Sequence, residues 1–341
     1  MGSDGPKTVV PRGGGQPAID VHQHLWPDGL IEALRARRGP PRLRGWTLEL
    51  AGEPDCPVDP AWHDVDARAA QAVADGLDVA LVSLSSPLGI ETLPAEEAGE
   101  LLEAYHDGAL AFPAPFGAWA AACLSEIDPA ALARELGRGF TGLQLPATAL
   151  LDAAGYERVA PLLETLEAAG KPLLVHPGPA VGGARPADEA ACAAAVAGRP
   201  GANAPPAWWP ALVPYVQQMH AAWFAFRAYG RRRHPGLRVC FAILAGLAPL
   251  HGERFVARAG ERNVVDDRVF LEISSYGTRA VDATIRALGI DVLVNGSDRP
   301  YATPVRLDLG AAALRALRRT NAERLLYPKE VLHGMAVVAG A

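Results

Sequence analysis

The chain has 341 residues, half of them hydrophobic, and a formal net charge of −6. That is enough apolar material for one large domain, and no break in composition forces a second. Acidic and basic residues are interspersed and no apolar run approaches the ~20 residues that span a bilayer, so neither nucleic acid nor a membrane is an expected partner. Cys56, Cys123, Cys192 and Cys240 are scattered without a C-x-x-C pair, which fits a reduced, cytoplasmic setting.

Residues 1–16 are polar and rich in Gly and Pro, and read as a disordered leader before a single domain over 17–341. Gly13-Gly14-Gly15 lies ahead of the first strand and opens no helix, so it is linker and not a nucleotide fingerprint. Eight short apolar runs then alternate with helical patterns: Ala18 to His22, Asp78 to Ser83, Gly117 to Ala122, Gly142 to Pro146, Pro172 to His176, Leu237 to Leu244, Arg268 to Ser274 and Asp291 to Val294. Alternation of this kind implies parallel strands with helical crossovers, and eight units suggest a closed (β/α)8 TIM-type barrel. An open doubly wound sheet would favour a glycine-rich turn after the first strand, which here ends in histidines. Helix starts are marked at Asp128-Pro129, before Ala130 to Leu136, and at Asp308, before Leu309 to Leu317.

Two stretches exceed what a plain barrel needs. Residues 39–62 are proline-rich, with a hairpin expected around Trp46 to Leu50, and residues 177–210 hold the pair Trp208-Trp209. Both follow strands that end in candidate ligands, and long loops after strands lie at the C-terminal mouth of a barrel, as lids or substrate walls. Surface ornament or a contact in a homo-oligomer is the other reading.

In Ile19-Asp20-Val21-His22-Gln23-His24, strand alternation projects His22 and His24 from one face, with Val21 and Gln23 on the other, so that both imidazoles can chelate one ion. His176 ends an apolar run that Pro177-Gly178-Pro179 stops, which places it at the same mouth. Asp298 follows the last run through Gly296, whose freedom lets a carboxylate turn back over the strand ends. Three imidazoles and one carboxylate suit a single divalent ion, zinc first, with manganese or iron also accommodated. In such a site bound water is acidified, and Asp298 both ligates and accepts its proton. The expectation is a metal-dependent enzyme acting on a small molecule.

With these residues in place the chain resembles the amidohydrolase superfamily, in the amidohydrolase-2 type branch of lactonases and the aminocarboxymuconate-semialdehyde decarboxylase type. The resemblance rests on Asp20-x-His22-x-His24, on Val175-His176-Pro177-Gly178, on Gly296-Ser297-Asp298-Arg299-Pro300-Tyr301 and on Asn321-Ala322-Glu323-Arg324-Leu325-Leu326, and it spans nearly the whole chain. It implies a (β/α)8 barrel, His22, His24, His176 and Asp298 as metal ligands, and hydrolysis or nonoxidative decarboxylation as chemistry. Binuclear members carry a carboxylated lysine at the end of the fourth strand; Thr141 to Pro146 contains none, so one ion is expected, and Gln144 there either bonds substrate or is a packed amide.

The departure lies on the sixth strand, where relatives read Phe-Ala-His before a glycine-rich turn and this chain reads Phe241-Ala242-Ile243-Leu244-Ala245-Gly246. Ile243 stands where the resemblance implies the histidine that activates water or polarises substrate. Three explanations stay open: His220, His251, Tyr276 or Arg299 supplies the missing group, the ion and Asp298 suffice for an activated lactone or ester, or the barrel binds without turnover. His220 equally reads as a helix–barrel contact, His251 as a solvated side chain, Arg299 as a clamp for a substrate carboxylate or a salt bridge, and Trp26 as a pocket wall or rim cover. His63, His106, His234 and His333 are expected on the surface. Hydrolysis of a lactone, ester or amide is preferred, because metal-activated water needs fewer partners than carbon protonation; decarboxylation of a small carboxylic acid is the alternative.

Overall fold

The computed structural model describes residues 16–51, 53–180, 206, 208–261 and 264–327. The leader (but for Gln16), most of the 177–210 stretch, Cys192 and His333 lie outside the described residues. The strands are β1 (Ile19–Gln23), β2 (Arg42–Arg44), β3 (Thr47–Glu49), β4 (Cys56–Pro57), β5 (Val79–Val82), β6 (Phe116–Ala118), β7 (Leu143–Pro146), β8 (Leu173–His176), β9 (Val239–Phe241), β10 (Val269–Glu272) and β11 (Leu293–Val294). Parallel pairing runs β1–β5–β6 and β7–β8–β9–β10–β11. A bridge between Ala120 and Leu143 joins the two sheets on one side. On the other, a Gln23–Arg299 bridge and the hydrogen bond from Val21 N to Asn295 O (2.9 Å) close the ring. The eight-stranded barrel expected from the alternation is thus formed, each strand falling within or beside its apolar run.

Alternate residues of the strands divide into two apolar layers. Ile19, Val21, Val79, Leu81, Leu174, Cys240, Phe270 and Val294 form one cluster, the barrel lumen, which Trp119 joins. Residues of opposite parity, such as Leu143, Leu145, Val239 and Leu271, pack outward with the helices. Ala322, Leu325 and Leu326 of the helix Asn321–Leu326 join the lumen cluster and plug its base.

Strand β1 departs from simple alternation. Its register advances three residues, Asp20 to Gln23, while β5 advances two, Ala80 to Val82. Such a bulge re-aims side chains. Val21 shares the lumen with Ile19 by plain alternation, and the bulge turns His22 and His24 to that same side, while Asp20 and Gln23 meet on the outer side, Gln23 Nε2 donating to Asp20 Oδ2 (2.8 Å). The alternation reading had placed Val21 on the face opposite the histidines.

The first insertion is a small antiparallel sheet, β2–β3–β4, with β3 where a hairpin was expected. Asp128 caps the helix Pro129–Arg138 as its sequence indicates, accepting from Ala131 N. Asp308 does not cap: the next helix begins at Ala311 behind Gly310, and the Asp308 amide instead donates to Thr278 Oγ1. His63, His106 and His234 are buried, against expectation, because each has an internal partner: the Trp26 amide, the Ala121 amide and Glu167 respectively. Among the described residues no helix is long and apolar enough to cross a membrane.

Candidate metal centre

The ends of β1 and β8 and the turn after β11 bring His22, His24, His176 and Asp298 together, with one donor atom from each lying within 4.8 Å of the others. His24 Nε2 is 3.1 Å from His22 Nε2 and 3.1 Å from Asp298 Oδ1, and His22 Nε2 is 3.7 Å from that oxygen. Tetrahedral ligands about 2.0 Å from a zinc ion stand roughly 3.3 Å apart. The spacing and donor chemistry therefore fit one divalent ion.

Each ring is oriented through its other nitrogen, as metal-bound imidazoles generally are. His24 Nδ1 meets Ser83 O (3.0 Å), His176 Nδ1 meets Pro177 O (2.9 Å) and His22 Nδ1 meets Glu272 Oε1 (3.3 Å). Burial, with the charges of the neighbouring histidines, holds His176 well below the usual imidazole range, and burial also lowers His24. Burial lowers His22 too, but the hydrogen bond and charge of Glu272 outweigh it and its pKa is raised. Burial pushes the Asp298 carboxyl up, yet the His24 hydrogen bond and the histidine charges more than offset this and leave it below the usual value.

Asp298 sits at φ 56°, in the left-handed region, where the turn is fixed from both sides. The Ser297 and Asp298 amides donate to His22 O (3.1 and 2.9 Å), and Asp20 Oδ1 accepts from the amides of His22 (3.1 Å) and Ser297 (3.0 Å). Asp20, outward-facing, thus rivets the first strand to the turn that carries the carboxylate.

An aromatic rim covers the cluster. The Tyr301 ring lies 5.3 Å from His24 and 6.1 Å from Trp62 of the first insertion. That insertion is latched across the mouth: Glu53 accepts from Tyr215 Oη (2.9 Å) and from Ala180 N (3.0 Å), four residues beyond His176.

The remaining candidates are dispersed. Trp26 is buried beneath the rim, stacked on His63 at 4.4 Å and bonded to Ser85 Oγ (3.2 Å). Gln144 is buried on the lumen side of β7, donating to Leu84 O (2.5 Å) and Ser86 Oγ (2.6 Å). Tyr276 and Arg299 line a separate cavity of about 770 Å3, and Arg299 reaches Asp75 at 3.0 Å. His220 and His251 face one another, ring centres 5.0 Å apart, and His220 also packs on Phe224, apart from the cluster of His22, His24, His176 and Asp298. Glu272, Tyr301, Trp62 and the Glu53–Tyr215 pair were not singled out from the sequence. A carboxylate closing the apolar run Val269-Phe270-Leu271 was the available signal for Glu272.

At the sixth strand, Ile243 to Leu247 all have φ between 46° and 61°, a left-handed turn in which four of the five residues are not glycine. The Ile243 amide donates to Glu272 Oε1 (2.6 Å), and the isoleucine side chain packs against the outer core. No titratable side chain stands at this position.

No family model matches the chain, and no curated protein does. Solved structures do. IDCase of Metarhizium anisopliae is 19% identical, with a TM-score of 0.71 over 91% of this chain and 97% of its own. The 5-carboxyvanillate decarboxylase of Novosphingobium aromaticivorans, complexed with manganese and 4-hydroxy-3-methoxy-5-nitrobenzoic acid, is 19% identical, with a TM-score of 0.61 over 96% and 99%. A protein described as amidohydrolase II is 18% identical, with a TM-score of 0.63 over 91% and 99%. The chain thus has, over nearly its whole length, the barrel fold of amidohydrolase-type enzymes, decarboxylases among them.

Proposed function

We propose that the protein is a metal-dependent, nonoxidative decarboxylase of a small aromatic carboxylic acid. The reading is carried by one observation: a complete three-histidine, one-aspartate donor set lies buried at the mouth of a barrel whose fold it shares with an aromatic-acid decarboxylase. This moves the alternative weighed from the sequence ahead of hydrolysis. His22, His24, His176 and Asp298 would hold the ion, and manganese becomes as apt a choice as zinc, since the 5-carboxyvanillate enzyme was solved with it. When bound, such an ion supplies positive charge that anchors and polarises the oxygens of the substrate.

The chain's own residues do the rest. Tyr301 and Trp62 offer aromatic faces to a planar ring. The 39–62 sheet, latched through Glu53, keeps water out of a centre whose histidines are at most 5% exposed. When the bond to the carboxyl carbon breaks, its electron pair stays on the ring carbon and a proton must take the place of CO2. Asp298, the one carboxylate in the donor set, is the group that holds or returns that proton, and no histidine on the sixth strand shares the task.

The test uses the full chain, stripped of metal and reconstituted with Mn2+ or Zn2+, against a panel of hydroxybenzoates and a parallel panel of lactones and esters. Ion-dependent CO2 release that chelation abolishes is expected. Cleavage of lactones or esters without any CO2 release would overturn the reading in favour of hydrolysis.

A further inference from the structure

Glu272 is wholly buried in the barrel lumen, two residues above Phe270 and beside Cys240, where an ionised carboxylate is expensive unless every lone pair is used. They are used. Oε1 accepts from Ile243 N (2.6 Å) and Ser274 Oγ (2.6 Å) and lies 3.3 Å from His22 Nδ1, while Oε2 accepts from Ser274 N (2.6 Å). Room for the carboxylate comes from Gly296, where an added Cβ would overlap Glu272 Oε2.

The three histidines are not supported alike. His24 and His176 donate to neutral backbone carbonyls, whereas His22 alone is backed by a carboxylate. The same oxygen takes the amide of Ile243, the first residue of the left-handed turn. Non-glycine residues are disfavoured in that conformation, so the turn persists only where its surroundings hold it. Glu272 holds the first amide of that turn from inside the barrel.

We propose that Glu272 is the positioning residue of the metal centre: its carboxylate fixes the tautomer that presents His22 Nε2 to the ion, and ties that ligand to the sixth-strand turn through the Ile243 amide. This rests on the four-residue metal centre and not on the reaction assigned to it.

The experiment measures affinity for Zn2+ and Mn2+ by competition with a chelating dye, the visible spectrum of the Co2+-loaded protein, and unfolding of the metal-free protein. It compares the native chain with Glu272→Gln, Glu272→Asp and His22→Ala. Removing a carboxylate behind a ligating histidine typically weakens metal binding about 10–100-fold. Glu272→Gln is expected to show that loss with a shifted Co2+ spectrum, and Glu272→Asp to recover part of it. A folded Glu272→Gln protein with native affinity and an unchanged spectrum would sink the assignment, leaving Glu272 a purely structural residue. If Glu272→Gln does not fold, Ser274→Ala removes one donor from the carboxylate; a severalfold weaker affinity supports the role and a native value refutes it. Retention of a full equivalent of metal by His22→Ala would instead overturn the centre itself, so the two failures are distinguishable.

Discussion

Each of the three clustered imidazoles is committed at Nδ1, which leaves the Nε2 atoms free to converge. His176→Ala should therefore abolish binding of the single equivalent of metal, read by elemental analysis, and not merely weaken it. Other buried side chains set the pH response. His106 is pushed down to about 4 and His63 to about 3, chiefly by burial. Below the unfolded value of about 6.5 the unfolded chain takes up protons that these residues refuse, so stability is present above that pH and falls as it is lowered. Glu91 acts in the opposite sense. Burial raises it to about 7, so between 4.5 and 7 the folded chain keeps a proton that the unfolded one gives up, and stability falls as pH rises through that window. In denaturation series between pH 5 and 7, His106→Gln should flatten the rise of stability with pH and Glu91→Gln should steepen it. The clustering of His22, His24, His176 and Asp298 was legible because side chains able to bind a metal, placed at strand ends, form a pattern. A lone histidine on a helix carries none, and the burial of His106 was invisible without its Ala121 partner.

Short elements position the centre. The left-handed turn at Ile243–Leu247 and the tight turn at Gly296 both press on Glu272, one through an amide and the other through the absence of a side chain. Gly296→Ala should displace the carboxylate, weaken metal binding and lower the unfolding temperature together. The inserted sheet is held more lightly. Tyr215→Phe removes the hydroxyl that both Glu53 oxygens accept, a bond to a charged group worth roughly 1.5–3 kcal/mol. Limited proteolysis should then cut the 50–55 connection faster than in the native protein, an effect larger than the accompanying fall in the global unfolding midpoint. Strand positions were legible because apolar runs bounded by turn residues announce themselves. The bulge in β1 was not, since it depends on what β5 offers as a partner and no local signal in Asp20 to Gln23 marks the extra residue.

The barrel closes only because three distant segments meet: β1, the turn after β11, and the helix Asn321–Leu326. Asn321 Nδ2 bonds Ile290 O (2.8 Å) and Leu293 O (2.7 Å), and the leucines behind it fill the lumen base. This gives a packing reason for the terminal motif that carried part of the family resemblance. Leu325→Ala should cost about 2–5 kcal/mol in denaturant unfolding, as a buried truncation does, although it lies at the opposite end of the lumen from the ligands. Alternation and length made the closed barrel legible, whereas the reaction was not, because the fold serves many chemistries and Ile243 stands where the resemblance implies a histidine that would activate water or polarise substrate. The β1 bulge makes the strand sensitive to length. Deleting Val21 would barely change the composition of the strand, yet it would restore the plain pleat between Asp20 and Gln23. Exchanging Val21 for another apolar residue would leave both histidines aimed as they are, whereas gaining or losing one residue beside it would turn them away: at this point of the strand the count of residues carries more than their identity.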